Sequence, residues 1–329
     1  MKISNIVLAA LLLIQGVVII INPSSKPRFT IQTVKMYPDL KSKEIERITV
    51  TEGSSKHSVT LTKKGDKWLI KEAFGYEADK SKVDEILAFI PKLNLAKEVS
   101  SNTSMFGSYN LADDNKEMVL TFAAKGAGAP AVLYIGKSVI RGTFLRKKGD
   151  HKVYSVNVSM TGALFTSPTE YMKDTSLKLP MGKERTLISL NYKGDTLTFK
   201  KTKEGGPTMG PDGQMTMKED EWSLMSVEEE PETSADATEI KNLVGSLDNL
   251  MFDTVEAAKD SGAFGFAKPF ITLTIGDGKK VKKQLIVGDL VKGKKSHRYA
   301  KVTGSPFIYG LDAFKFEKWQ KVRTNYVKT

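Results

Sequence analysis

Apolar positions along the chain switch between two periods, and the order of the switches is written twice. "RITVTEGSSKHSVTLTKKGDKWLI" from Arg47 alternates apolar and polar residues, turns, and ends at a tryptophan. "TLISLNYKGDTLTFKK" from Thr186, continued by "DEWSLM" from Asp220, has the same order, with Trp222 opposite Trp68. A period of two broken by Lys-Gly-Asp predicts antiparallel strands joined by tight turns. The period then becomes helical. Val83, Ile86, Leu87, Ile90 and Leu93 form one stripe, and Ile240, Leu243, Val244, Leu247 and Leu250 form its counterpart. Asp79 and Asp236 stand at the N-cap, where a carboxylate can accept from a free backbone N–H.

Past each helix the echoes continue. "FGSYNL" at 106–111 is answered by "FGF" at 264–266, "MVLTF" at 118–122 by "ITLTI" at 271–275, and "LYIG" at 133–136 by "LIVG" at 285–288. "FLRKKGDHKVYSV" at 144–156 matches "YAKVTGSPFIYGL" at 299–311, placing Tyr154 opposite Tyr309. Each copy closes on a stretch expected to be a short helix, 158–173 and 312–322. The expected fold class is therefore α+β: an N-terminal transmembrane helix, then two homologous modules of antiparallel strands, helix, strands and short helix. The expected boundaries are an anchor at 1–22, a tether at 23–42, and repeats at 43–177 and 178–329. A period near 150 exceeds that of the usual solenoid repeats, so two domains are implied.

These motifs together resemble an uncharacterised bacterial domain-of-unknown-function family. The shared features are paired strands ending in Trp, an "AD…V…L" helix, a "YGL"-like step, "L.IG" and "VY.V". The resemblance covers nearly the whole chain. It implies a membrane-anchored, internally duplicated protein that accompanies gliding-motility-type ABC transporters. The chain departs from "YGL" in both copies: Tyr109-Asn110-Leu111 lacks the glycine, and Phe264-Gly265-Phe266 lacks the tyrosine and leucine.

The N-terminus extends this picture. Residues 3–21 are 19 positions without a charge, about 28 Å as a helix against a hydrocarbon core of roughly 30 Å. The run ends in bulky "VVIIINP" rather than a small-residue cleavage site, which favours an uncleaved signal anchor over a secretory leader. The expected location is the cytoplasmic membrane, single-pass, N-terminus inside and the bulk outside. Residues 23–42 hold three prolines and read as a tether. Residues 203–222 are an insertion whose glycines and prolines argue against regular structure. Met209, Met215 and Met217 there offer an adaptable contact surface or simply a mobile hairpin tip.

Candidate chemistry is sparse. Cysteine is absent, which excludes disulfides, thiolate metal sites and a cysteine nucleophile. His57, His151 and His297 are isolated in sequence. "GAGAP" at 126–130 reads as a hairpin loop rather than a phosphate cradle. The acids at 219–221 and 228–232 read as solvated runs. No enzyme, cofactor, metal or small-molecule substrate is expected.

Net charge is +12, and the late β segment of each copy concentrates it. Candidate contacts for an anionic partner are Arg141, Arg146, Lys147 and Lys148 in the first copy, and Lys279, Lys280, Lys282, Lys283, Lys294, Lys295 and Arg298 in the second. Few aromatics accompany them, which argues against nucleic acid. Lysines that shield edge strands are the plainer reading. Two functional readings result. One is a non-enzymatic accessory or scaffold beside the permease and ATPase of an ABC transporter. The other is a binding module for an anionic envelope polymer or lipid headgroups.

Overall fold

A computed structural model describes residues 33–327 except 54, 56, 141 and 226–232. The anchor, the first part of the tether, Arg141 and the 228–232 acids lie outside the described residues. Among the described residues no helix is long and apolar enough to cross a membrane.

The α+β expectation is corrected: the fold is predominantly antiparallel β. The first sheet contains β1 (Thr33–Val34), β2 (Ile45–Glu52), β3 (Ser58–Lys64), β4 (Lys67–Ile70), β5 (Tyr76–Glu77), β6 (Ala96–Ser100), β7 (Met118–Ala124), β8 (Ala131–Val139), β9 (Gly142–Lys147) and β10 (Val153–Val156). Its spatial order is β1-β6-β10-β9-β8-β7-β2-β3-β4-β5. After it come β11 (Leu187–Tyr192), β12 (Asp195–Lys203), β13 (Gly206–Met209), β14 (Met215–Lys218), β15 (Glu221–Leu224), β16 (Thr233–Ser234), β17 (Thr254–Ala257), β18 (Ile271–Gly276), β19 (Val281–Leu290), β20 (His297–Val302) and β21 (Ile308–Asp312). The second sheet reads β17-β21-β20-β19-β18-β11-β12-β15-β16, and β13 and β14 pair apart from it. Strand for strand this is the order of the first sheet without β1. The duplication is thus a property of the topology as well as of the sequence.

Helix is limited to α1 (Lys80–Leu87), α2 (Phe89–Leu93) and α3 (Ala237–Asp248) among the described α-helices. Their apolar stripes do cover the sheets: Val83, Ile86, Ile90 and Leu93, and Ile240, Leu243, Leu247 and Leu250, are all buried. The first copy's helix breaks at Ala88 because Pro91 lacks the N–H that would bond Leu87 and its ring crowds that carbonyl. The segments expected as short closing helices are helical, but as 3-10 turns: Thr161–Ala163 and Pro168–Tyr171 in the first copy and Ala313–Trp319 in the second, with a further turn at Arg323–Tyr326. The turns ending at Tyr171 and Tyr326 are pinned to the starts of the α-helices.

That pinning is the same in both copies. The N–H of Ala78 bonds the carbonyl of Trp68, and the N–H of Asp79 bonds the carbonyl of Tyr171. In the second copy the N–H of Ala235 bonds Trp222, and the N–H of Asp236 bonds Tyr326. Asp79 Oδ1 then accepts from Ser81 N, and Asp236 Oδ1 from Glu239 N, capping the helices. Tyr171 and Tyr326 are fully buried, and burial pushes both phenols up to about 12.

The turns follow from their residues. Lys193 and Gly194 both have positive φ between the paired Tyr192 and Asp195, the twist-matched two-residue hairpin loop. Residues 33–40, expected as tether, pack on the first sheet: β1 pairs with β6, Met36 is buried, and Tyr37 Oη donates to the carbonyl of Val132 at 2.8 Å. The insertion also differs from expectation, since β13 and β14 form a regular hairpin.

One continuous hydrophobic core spans both copies. The seam runs beside the second copy: Leu177 N bonds Leu250 O, and Phe252 N bonds Thr175 O. Tyr76 of the first copy packs against Phe252 and Phe307 of the second, with ring centroids 5.5 and 5.2 Å apart. Its hydroxyl donates to the carbonyl of Asp174.

Candidate functional site

Each copy opens a groove between its helix and its tryptophan strand. In the first, a cavity of about 600 Å³ is lined by Ser42, Lys43, Lys63, Asp66, Trp68, Lys80, Asp84, Leu87, Ala88 and Pro91. The helix presents these residues because its apolar stripe faces the sheet, leaving Lys80, Asp84 and Ala88 on the flank beside β4. Lys80 pairs with Asp84 at 2.5 Å one turn away. Lys43, Lys63 and Asp66 are exposed at the rim over the indole. The groove combines an apolar floor on Trp68, Leu87 and Pro91 with amines and carboxylates at its rim.

The second groove holds about 310 Å³ and is lined by Glu219, Asp220, Trp222, Ala237, Ile240, Lys241, Val244, Gly245 and Asp248. The register explains the difference. Lys63 stands opposite Trp68 across β3 and β4, as Lys201 stands opposite Trp222 across β12 and β15. Lys201 is folded in, its side chain 6% exposed, 2.6 Å from Asp220 and over the Trp222 ring. Burial raises the Asp220 carboxyl's pKa, but the Lys201 ammonium and the Gly205 N–H outweigh it, so the net shift is downward. Arg185 closes the other end, buried and 2.7 Å from Asp248. Glu219 and Glu221 pair with Lys241 and Lys203. The second groove has about half the volume of the first, narrowed by its own ion pairs.

The predicted basic contacts separate on the structure. Arg146 is buried, donates from Nε to the carbonyl of Leu111 at 2.9 Å, pairs with Asp113 at 2.5 Å, and stacks on Phe106 and Tyr134. Arg298 lies 3.7 Å above the Phe270 ring and donates to the carbonyl of Gly288. Lys147 sits over Tyr37. Lys282 pairs with Asp277, and Lys294 with Glu256. The Lys282 ammonium, with the N–H groups of Lys280 and Lys279, holds the Asp277 carboxyl well below the usual carboxylate range. The side chains of Lys148, Lys279, Lys280, Lys283 and Lys295 are left toward solvent or the sheet face. The residues do not converge on one site: many serve as props under loops.

Sequence reading missed a polar cluster in the second copy. His297 lies 4.0 Å from Asp253 and 3.9 Å from Asp312, and Ser296 Oγ donates to Asp312 at 3.0 Å. Lys315 bonds Asp253 at 2.7 Å. These positions meet only because β17, β20 and β21 are neighbours, so no linear spacing could reveal them. Among the described residues no group of three or more His, Cys, Asp or Glu side chains is placed to hold a metal ion.

Duplicated antiparallel sheets, each with a tryptophan strand under one helix, define the class of this protein. The family profile for Domain of unknown function (DUF4340) matches residues 68–229 and 222–329, and the chain belongs to that family. The two matches begin at the equivalent residues Trp68 and Trp222. No curated protein and no solved structure matches the chain.

Proposed function

We propose that this protein is a non-enzymatic accessory or scaffold subunit of an ABC-type transporter system. In this reading the uncharged run at 3–21 holds it at a membrane, and the duplicated body stands on the extracytoplasmic side. The observation that carries the reading is the asymmetry of the two grooves. One copy of a shared cleft is narrowed to about 310 Å³ by its own ion pairs, while the other keeps about 600 Å³ over a tryptophan. A duplication with one site kept open suits a body that holds a partner segment in one module and uses the other for support. Family membership and the resemblance described above supply the choice of partner, a permease and its ATPase. Tethering raises the effective concentration of the groove at such a partner.

The basic-face alternative draws less support. Arg146, Arg298, Lys282 and Lys294 are engaged by carbonyls, carboxylates or rings of the chain itself.

The test is affinity capture of the full chain from native membranes in mild detergent. Permease and ATPase subunits are expected to co-elute at about 0.5 M salt, where exposed charge pairs are largely screened. Lys63→Glu at the open rim is expected to reduce their recovery while leaving the melting curve unchanged. Recovery of anionic lipid or polymer alone, lost on adding salt, would instead establish the alternative.

A further inference from the structure

The hairpin of β13 and β14 carries three methionines that no core explains. Met209 is 76% exposed, Met215 72% and Met217 74%. Register puts them on one face. Met209 is paired directly with Met215, Met217 is paired with Pro207, and side chains two apart along a strand share a side. The other face carries Thr208 and Thr216, whose hydroxyls lie 3.1 Å apart. The base is fastened where Gly205 N donates to Asp220, and the tip where Gly210 N donates to Gln214 O at 2.8 Å. A fixed register thus presents three thioethers together, and the chain has no cysteine to compete with them.

The spacing suits coordination. Directly opposed side chains start about 5 Å apart at Cβ, and neighbours two along a strand about 7 Å apart. A methionine sulfur reaches two bonds beyond Cβ through freely rotating links, so three can meet at one point above the strands. Thioether sulfur is a soft, neutral donor that favours Cu(I) over zinc, magnesium or calcium. We propose that the Met209–Met215–Met217 face is a binding site for a soft monovalent cation, Cu(I), with Ag(I) as its redox-inert substitute. The exposure of all three side chains makes it a site of exchange rather than permanent storage. This inference stands independently of the transporter reading.

The test uses full-length protein in detergent micelles, labelled at the methionine methyls and titrated with silver nitrate in chloride-free buffer. Of the twelve methionines, the methyl signals of Met209, Met215 and Met217 are expected to shift together and saturate at one equivalent. Under anaerobic conditions the protein is expected to take Cu(I) from a chromogenic chelator. The M209L/M215L/M217L variant, isosteric on an exposed face, is expected to bind at least about 100-fold more weakly with unchanged circular dichroism. Saturable shifts at other methionines, no shift at all, or full affinity in the triple variant would each overturn the proposal. Because the methyl shifts are read on the unaltered chain, misfolding of the variant cannot obscure the result.

Discussion

Asn110 and Gly265 show how a residue can change while its backbone task does not. Asn110 has φ 54° and Gly265 φ 78°, both in the left-handed region that asparagine and glycine tolerate. The departure from "YGL" therefore leaves the step's geometry intact, and Asn110 adds a bond from Nδ2 to Glu117 at 3.0 Å. Asn110→Gly is expected to be nearly neutral in thermal melts, whereas Asn110→Ala is expected to cost about 1–2 kcal/mol. The step's carbonyl presses on the glycine of the "L.IG" motif. A Cβ on Gly136 would lie 2.2 Å from Tyr109 O, and one on Gly288 2.0 Å from Phe264 O. Gly136→Ala and Gly288→Ala are expected to cost about 1–3 kcal/mol each by overpacking, measured as denaturant midpoints. Gly107→Ala, with nothing nearby, is the control. Sequence comparison could align these residues but could not say that a carbonyl sits on the glycine.

Among the elements, the capped helices and tryptophan strands were legible in the sequence because short-range periodicity specifies them. Asp79 and Asp236 occupy the N-caps as read, and their replacement by alanine is expected to cost about 0.5–2 kcal/mol each in equilibrium unfolding. The closing segments were legible as short helices, but not as 3-10 turns, nor could their pinning be read, because the partners lie far away in sequence. The groove asymmetry was also hidden: nothing local distinguishes Lys63 from Lys201, yet only Lys201 is folded onto a carboxylate. Lys201→Ala leaves Asp220 without its ammonium and is expected to destabilise by about 1–3 kcal/mol, against a change within about 0.5 kcal/mol for Lys63→Ala. Paired melts of the two variants check this.

At the scale of the molecule, buried phenols set an alkaline limit. Burial, with the neighbouring Tyr309, Asp174 and Glu77, pushes Tyr76 at the junction up to about 12, and burial does the same for Tyr37, Tyr171 and Tyr326. A phenol raised on folding contributes stability that is complete below its unfolded pKa near 10 and is lost as pH climbs through about 12. Melting temperature is expected to hold to about pH 10 and then fall, with ring signals of Tyr37, Tyr76, Tyr171 and Tyr326, read by site-resolved NMR, titrating in step with loss of tertiary signal. Titration of these four near pH 10 without unfolding would contradict it. The duplication itself was legible in the sequence, since strand order repeats the order of the motifs. The junction was not, because Tyr76 and Phe252 lie outside the shared motifs and Phe307, within one, stands where the first copy has Lys152.

The tyrosine clasp has a consequence for synthesis. Asp79 and Asp236 each wait about ninety residues for Tyr171 and Tyr326. At about 5–20 residues per second, a ribosome would release the first cap some 5–20 s before the tyrosine that closes it. When Tyr171 emerges, the second copy's helix, late strands and Tyr326 have yet to be made. The older copy can therefore shut on itself before a complete rival of the same strand order exists to exchange strands with it, and vectorial production protects a duplicated fold from its own twin.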